Sequence, residues 1–228
     1  MKTLYVLIGP PAIGKTTWIS RYAPQANVIS RDDVIERIAH EYGMTYDDAY
    51  ASPSNDAKEG QLVDGMERFG KVVPSDLKWR PFDFETCQRV HRQAAEELMN
   101  TASKHAAGNA DVVLDMTNMD KASRAIYTPM FRDHRKVAVV FNFNGDELIA
   151  ALKKNAEKRA AELAKLGKTK TISGDVIDRM VAAYEPPEAT EGFDDIVFYD
   201  NSSHLLGLES IREFARRVIR EMISNNWK

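Results

Sequence analysis

The run Gly9-Pro10-Pro11-Ala12-Ile13-Gly14-Lys15-Thr16 matches G-x-x-x-x-G-K-[ST], and it lies between an apolar stretch, Leu4 to Ile8, and a helical pattern that opens at Lys15. Glycines in such a run let the backbone curl until successive N–H groups point inward. The following helix adds the partial positive charge of its N-terminus, and a lysine can reach the β and γ phosphates of a nucleotide. Pro10 and Pro11 have no N–H to offer, so the useful amides start at about Ala12. The phosphate-binding set read from the sequence is therefore Gly9, Ala12, Ile13, Gly14, Lys15, Thr16 and Thr17, with the Thr16 hydroxyl directed to Mg²⁺. These residue types at this spacing predict an ATP site with Mg²⁺ as cofactor.

Three further groups could act beside it. Val112-Val113-Leu114-Asp115 reads as a core strand ending in an acid, the pattern that holds Mg²⁺ through water, although an Asp in this place also caps turns. Ser30-Arg31-Asp32-Asp33 leads from a second strand into a helix. An acid there is either a plain helix cap or, because ligands of parallel sheets gather at the carboxyl ends of strands, the base that takes a proton from an acceptor hydroxyl. One of Asp32 and Asp33 is the candidate. Between Ala151 and Thr171 stand seven basic residues, Lys153, Lys154, Lys158, Arg159, Lys165, Lys168 and Lys170, against two acids, Glu157 and Glu162. Such a segment can close over ATP and set a cation, here Arg159, on the transferring phosphoryl group. A solvated amphipathic helix accounts for most of the same lysines.

Elements must bring these groups together. Strands are read at Leu4 to Ile8, Asn27 to Ser30, Asp111 to Asp115, Lys136 to Phe143 and Asp195 to Tyr199. They alternate with helices at Lys15 to Tyr22, Asp32 to Glu41, Glu85 to Ala107, Lys121 to His134, Glu147 to Leu166, Gly174 to Tyr184 and Leu208 to Ile223. Strand–helix alternation of this kind predicts an α/β fold, a doubly wound parallel sheet with helices on both faces. The 228 residues suit a single domain over the whole chain, interrupted by an insertion at about 43–84 and carrying a lid at about 151–174. The insertion holds Tyr42, Tyr46, Tyr50, Phe69, Trp79 and Phe82 at or near it. It is either a cap whose aromatics stack on bases or a satellite core.

Composition excludes some classes. A net charge of −3 gives no global pull toward nucleic acid, so any basic surface is local. No apolar run approaches the ~18 residues of a membrane span, and the lone Cys87 has no internal disulfide partner, which fits a cytoplasmic setting. Cys87 reads as a packing residue. No protein partner is predicted.

Taken together, Gly9 to Trp18, Arg31-Asp32-Asp33, Asp115-Met116-Thr117-Asn118 and the stretch from Lys153-Lys154-Asn155 to Arg159 resemble the kinase domain of phage-type polynucleotide 5′-kinases. The resemblance implies transfer of the ATP γ-phosphoryl group to a hydroxyl on a nucleic acid, DNA before RNA, most simply a 5′-OH end, in the host cytoplasm if the gene is a phage's. It implies Asp32 as the base, and Arg159 or its neighbour Lys158 as the lid cation at the phosphates. Arg31, Arg37 and Asn118 are the acceptor-binding candidates. Where the family carries an arginine three residues beyond the base to grip the acceptor's 3′-phosphate, this chain has Ile35, with Arg37 two positions later. That difference keeps three other readings in play: a kinase of 5-hydroxymethyluracil bases within DNA, a small-molecule nucleoside kinase, and, outside enzymes, a nucleotide-gated binding module.

Overall fold

The computed structural model describes residues 1–50 and 84–206. Five strands form one all-parallel sheet: β1 (Thr3–Ile8), β2 (Asn27–Ser30), β3 (Val112–Asp115), β4 (Arg135–Phe141) and β5 (Asp195–Tyr199), in the order β2-β3-β1-β4-β5. The helices are α1 (Lys15–Tyr22), α2 (Arg31–Glu41), α3 (Tyr46–Ala49), α4 (Phe84–Ala107), α5 (Lys121–Tyr127), α6 (Asp146–Lys165), α7 (Gly174–Ala182) and α8 (Ser202–Leu205). The α/β class and the parallel sheet are those expected. Among the described residues no helix is long and apolar enough to cross a membrane.

The period-2 alternation of the strands sorts their side chains between two cores. Leu4, Val6 and Ile8 of β1 pack with Val112, Leu114, Ala138 and Val140 against Leu98 and Ala102 of α4. Leu7 turns the other way, joining Val113, Val139 and Phe141 under Ile13, Trp18, Leu148 and Leu152. A third cluster joins α2, α3 and α4 through Ile35, Ile38, Tyr46, Ala49, Val90 and Ala94. The first residues of the expected insertion therefore belong to a satellite core; Cys87 is buried near it, its thiol 3.3 Å from the Asp48 carbonyl. The rest of that insertion and the helix expected at Leu208 to Ile223 lie outside the described residues.

Two sequence expectations are corrected. The helix from Lys121 stops at Tyr127 and gives way to a 3₁₀ turn, Thr128–Met130, because Pro129 has no N–H to continue the ladder. The strand from Lys136 ends at Phe141, where the Asn142 N–H still bonds the Tyr199 carbonyl and Asn144 turns back on the Asn142 side chain. The segment expected as a lid, 151–174, begins inside the helix read at Glu147 to Leu166. Its first part is the C-terminal three-quarters of the continuous helix α6, and only the connection to α7 is a loop.

A buried ion pair ties α5 to the turn that precedes β5. Arg124 of α5 gives Glu191 two hydrogen bonds of 2.7 and 2.8 Å and donates through Nη1 to the carbonyls of Asn118, Met119 and Glu185. The two side chains are 1% and 6% exposed. Burial raises the Glu191 pKa, but the Arg124 guanidinium and the Glu188 N–H more than reverse that and leave it below the usual carboxylate range. Arg124→Met strands the carboxylate and three carbonyls, and is expected to cost about 3–5 kcal/mol in urea unfolding. A loss below ~1 kcal/mol would show that the clamp is solvated in solution.

Candidate active site

The loop after β1 is held from three sides. Gly9 donates to the Thr117 carbonyl at 3.0 Å, and an added Cβ there would stand 3.2 Å from both Ile13 Cγ2 and Phe141 Cβ. Gly14, with φ +101°, makes the left-handed step into α1 that a side chain would strain. Ala12 also takes positive φ, 61°, so the loop accepts backbone strain in order to curl. Helix α1 opens with no acid in its first turn and with Gly14, which has no side chain to cap it, so among the described residues no N-cap side chain takes up its free N–H groups and they can meet an anion.

Lys15 lies back across this loop, donating to the Gly9 and Pro10 carbonyls at 2.9 Å each. Burial lowers its pKa to about 8, against the attraction of Asp115 and Asp32 and with the help of Arg159 and Lys170. That ammonium therefore lies within electrostatic reach of four groups from four separate elements. Asp115 ends β3 in register with Ser30 of β2, and burial, with Asp33 and Asp32 adding to it, raises its pKa despite Lys15. Thr16 is exposed at the first turn of α1.

These residues fit Mg·ATP. A desolvated ammonium, a curled backbone with open amides and a carboxylate at a strand end form a site short of negative charge at the loop and supplied with it at the metal position. Thr16 and Asp115 are the residues that would hold Mg²⁺, and the loop from Ala12 to Thr17 the phosphates.

Asp32 is the second residue of α2. Ser30, not either acid, is the N-cap, its Oγ accepting from the Asp33 N–H at 3.3 Å. Asp33 is exposed at the third helical position, while Asp32 is turned inward. Asp32 Oδ1 accepts from the Tyr46 hydroxyl at 2.9 Å and Oδ2 faces Lys170 Nζ at 2.8 Å. Burial raises its pKa, but Lys170, the Tyr46 hydrogen bond and Lys15 outweigh that and hold it below the usual aspartate value. The Asp32 side chain remains 44% exposed, enough to meet a ligand.

The remaining candidates are placed as follows. Arg159 is exposed on α6 and acts on the Lys15 charge; Lys158, beside it, sits 4.0 Å from Glu162 on the same helix. Arg31 is exposed next to Asp32. Arg37 forms ion pairs with Glu41 and Glu97 on the outer face of α2. Asn118 is 2% exposed, its amide donating to the Leu7 carbonyl at 2.8 Å and contacting those of Leu114 and Met116 at 3.4 Å. It ties β1 to the turn after β3. The acceptor role expected of Arg37 and Asn118 thus meets residues engaged elsewhere.

Sequence reasoning missed Tyr46 and Lys170 as partners of Asp32. Tyr46 was one aromatic of several and Lys170 one of seven basic residues, and neither carries a local signal that marks it out.

A family model described as an AAA domain matches residues 4–187, most of the chain. The chain belongs to that family. No curated protein matches it. Among solved structures, a candidate kinase from Chloroflexus aurantiacus J-10-fl aligns over 96% of this chain and 97% of its own at 13% identity, with a TM-score of 0.50. A gluconokinase from Sinorhizobium meliloti 1021 aligns over 96% and 97% at 12% identity and TM-score 0.45. Kti12 from Chaetomium thermophilum, in complex with ADP-AlF3, aligns over 87% and 89% at 16% identity and TM-score 0.46. At 13% identity the likeness to the first of these is one of fold alone. The AAA domain match and the parallel sheet make this a P-loop, kinase-like, nucleotide-binding fold.

Proposed function

We propose that the protein is an ATP-dependent phosphotransferase, one domain over its whole length, that passes the γ-phosphoryl group to a hydroxyl on a nucleic acid, DNA before RNA, most simply a 5′-OH end. The observation that carries the reading is the half-exposed Asp32 side chain in the first turn of α2, just beyond the end of β2 and within electrostatic reach of the Lys15 ammonium. A base beside a phosphate cradle serves group transfer; a nucleotide-gated binding module needs none.

In the proposed reaction, Asp32 accepts the acceptor hydroxyl's proton while that oxygen bonds to the γ-phosphorus. The bond from the γ-phosphorus to the bridging oxygen breaks, and ADP leaves. Lys15 and Arg159 stabilise charge on the phosphoryl oxygens, which in a loose transition state matters more than covalent help. Mg²⁺, when bound by Thr16 and Asp115, supplies further neutralisation of the phosphates. The acceptor itself is supported by the resemblance set out above, by Arg31 and by Tyr50, 45% exposed with its ring 4.7 Å from that of Tyr46. An aromatic ring beside the base suits an acceptor that stacks.

A second acceptor, a hydroxymethylated pyrimidine within DNA, draws support from Ile35. It is fully buried in the satellite core, so the position of the family's 3′-phosphate arginine cannot face an acceptor here. Labelled ATP offered with 5′-OH DNA, 5′-OH RNA, hydroxymethyluracil DNA and free nucleosides separates the readings by where the label appears. Affinity for a nucleic-acid acceptor should fall with salt, log K declining in proportion to the phosphates contacted. A flat salt profile with label only on free nucleosides would overturn the nucleic-acid reading.

A further inference from the structure

The loop from α6 to α7 is fastened to the acceptor side of the site at three points. Lys168 Nζ pairs with Glu36 at 2.8 Å, the Thr171 N–H donates to Asp47 Oδ1 at 2.7 Å, and between them Lys170 meets Asp32. The three differ in kind. Lys168 is 58% exposed, and a surface pair of that sort is worth ~0–1 kcal/mol. Lys170 is 9% exposed, its ammonium 2.8 Å from Asp32 Oδ2 and 4.5 Å from the centre of the Tyr46 ring. Tyr46 in turn donates to Asp32 Oδ1. A lysine that gives up its water to sit between one carboxylate and one aromatic face is held in a single place, and it holds its partners there.

The consequence lies in the carboxylate's orientation. With one oxygen fixed by Tyr46 and the other by Lys170, the Asp32 plane has no free rotation, and a lone pair on each oxygen is still open to an incoming hydroxyl. Proton transfer is sensitive to such aim, because a misplacement of ~1 Å can cost about a hundredfold in rate.

We propose that Lys170 is a positioning residue for phosphoryl transfer: carried by the lid loop, it sets the Asp32 carboxylate against Tyr46, so that the base is aligned only when the loop is seated on α2 and α3. The inference rests on the reading of Asp32 as the base. It adds a link between lid and base, separate from the role proposed above for Arg159 at the phosphates.

The test is a double-mutant cycle on the full chain, with Lys170→Met, Asp32→Asn and the pair, read as single-turnover transfer to a 5′-OH DNA oligonucleotide and as ATP hydrolysis with water as acceptor. Lys170→Met should lower the rate about 10- to 100-fold with ATP affinity changed less than about threefold, Lys170→Arg should recover most of it, and Lys170→Met should cost little more once Asp32 is Asn. A general loosening of the fold would lower ATP affinity and thermal stability together and would not be rescued by arginine. The proposal is overturned if Lys170→Met transfers at wild-type rate, or if its full loss repeats in the Asp32→Asn background. An active Asp32→Asn is a different failure: it removes the base reading itself.

Discussion

Asp32→Asn is expected to slow phosphoryl transfer about 10²- to 10⁴-fold, roughly 3 to 5 kcal/mol of barrier, with ATP affinity held. The amide keeps the size of the carboxylate and can still accept from the Tyr46 hydroxyl, 2.9 Å away in the native chain. It cannot take a proton at neutral pH. With its oxygen on Tyr46, its NH₂ also meets the Lys170 ammonium donor to donor, so part of the loss comes from a displaced lid contact. Asp33→Asn is the control. Asp33 is exposed, and Ser30 supplies the helix cap, so the change removes only a favourable charge from the first turn of α2, about 0.3–1 kcal/mol of stability. Single-turnover measurements on both decide the assignment. An inactive Asp33→Asn beside an active Asp32→Asn would reverse it; small losses in both would mean that transfer relies on positioning and charge alone.

How far such a site can be read from sequence depends on how local its causes are. The phosphate loop was legible because its glycines, lysine and flanking strand lie within a few residues of one another, and α1 was bounded correctly for the same reason. Asp32 was legible as one of two acids, and the side chain that separates them is Ser30: by capping α2 through the Asp33 N–H it leaves Asp33 exposed and turns Asp32 toward the loop. Where tertiary contact decides, the pattern was silent. Tyr46 and Lys170 reach Asp32 from α3 and from a loop far along the chain. Nothing local in the sequence marks Arg124, and only the fold puts it against Glu191. Asn118 read as a polar residue following a strand end, a position suited to an acceptor contact. It is buried instead because three backbone carbonyls converge there. The apparent helical reach to His134 failed at Pro129, a local signal whose weight periodicity understates.

Lys15→Ala is expected to remove nearly all phosphoryl transfer, about 10³-fold or more, because one cation both binds the transferring group and stabilises its charge. The fold should survive. The native ammonium is bonded to two loop carbonyls at 2.9 Å, but burial works against its charge and brings its pKa from 10.5 down to about 8. Between about pH 8 and 10.5 the unfolded chain holds a proton at this lysine that the folded chain lacks, so Lys15 makes stability rise with pH through that window and lowers it at neutral pH. Alanine removes that penalty together with the two hydrogen bonds, and the melting temperature should move by only a few degrees. Phosphate oxygens favour the charged form, so ATP binding should raise the Lys15 pKa and draw in protons between about pH 8 and 9. Calorimetry in two buffers of different ionisation enthalpy measures that uptake directly. Wild type should show it, with ATP affinity declining above about pH 8, and Lys15→Ala should not. Near-wild-type turnover in Lys15→Ala, or equal proton uptake in both proteins, would sink the assignment of this loop as the ATP site.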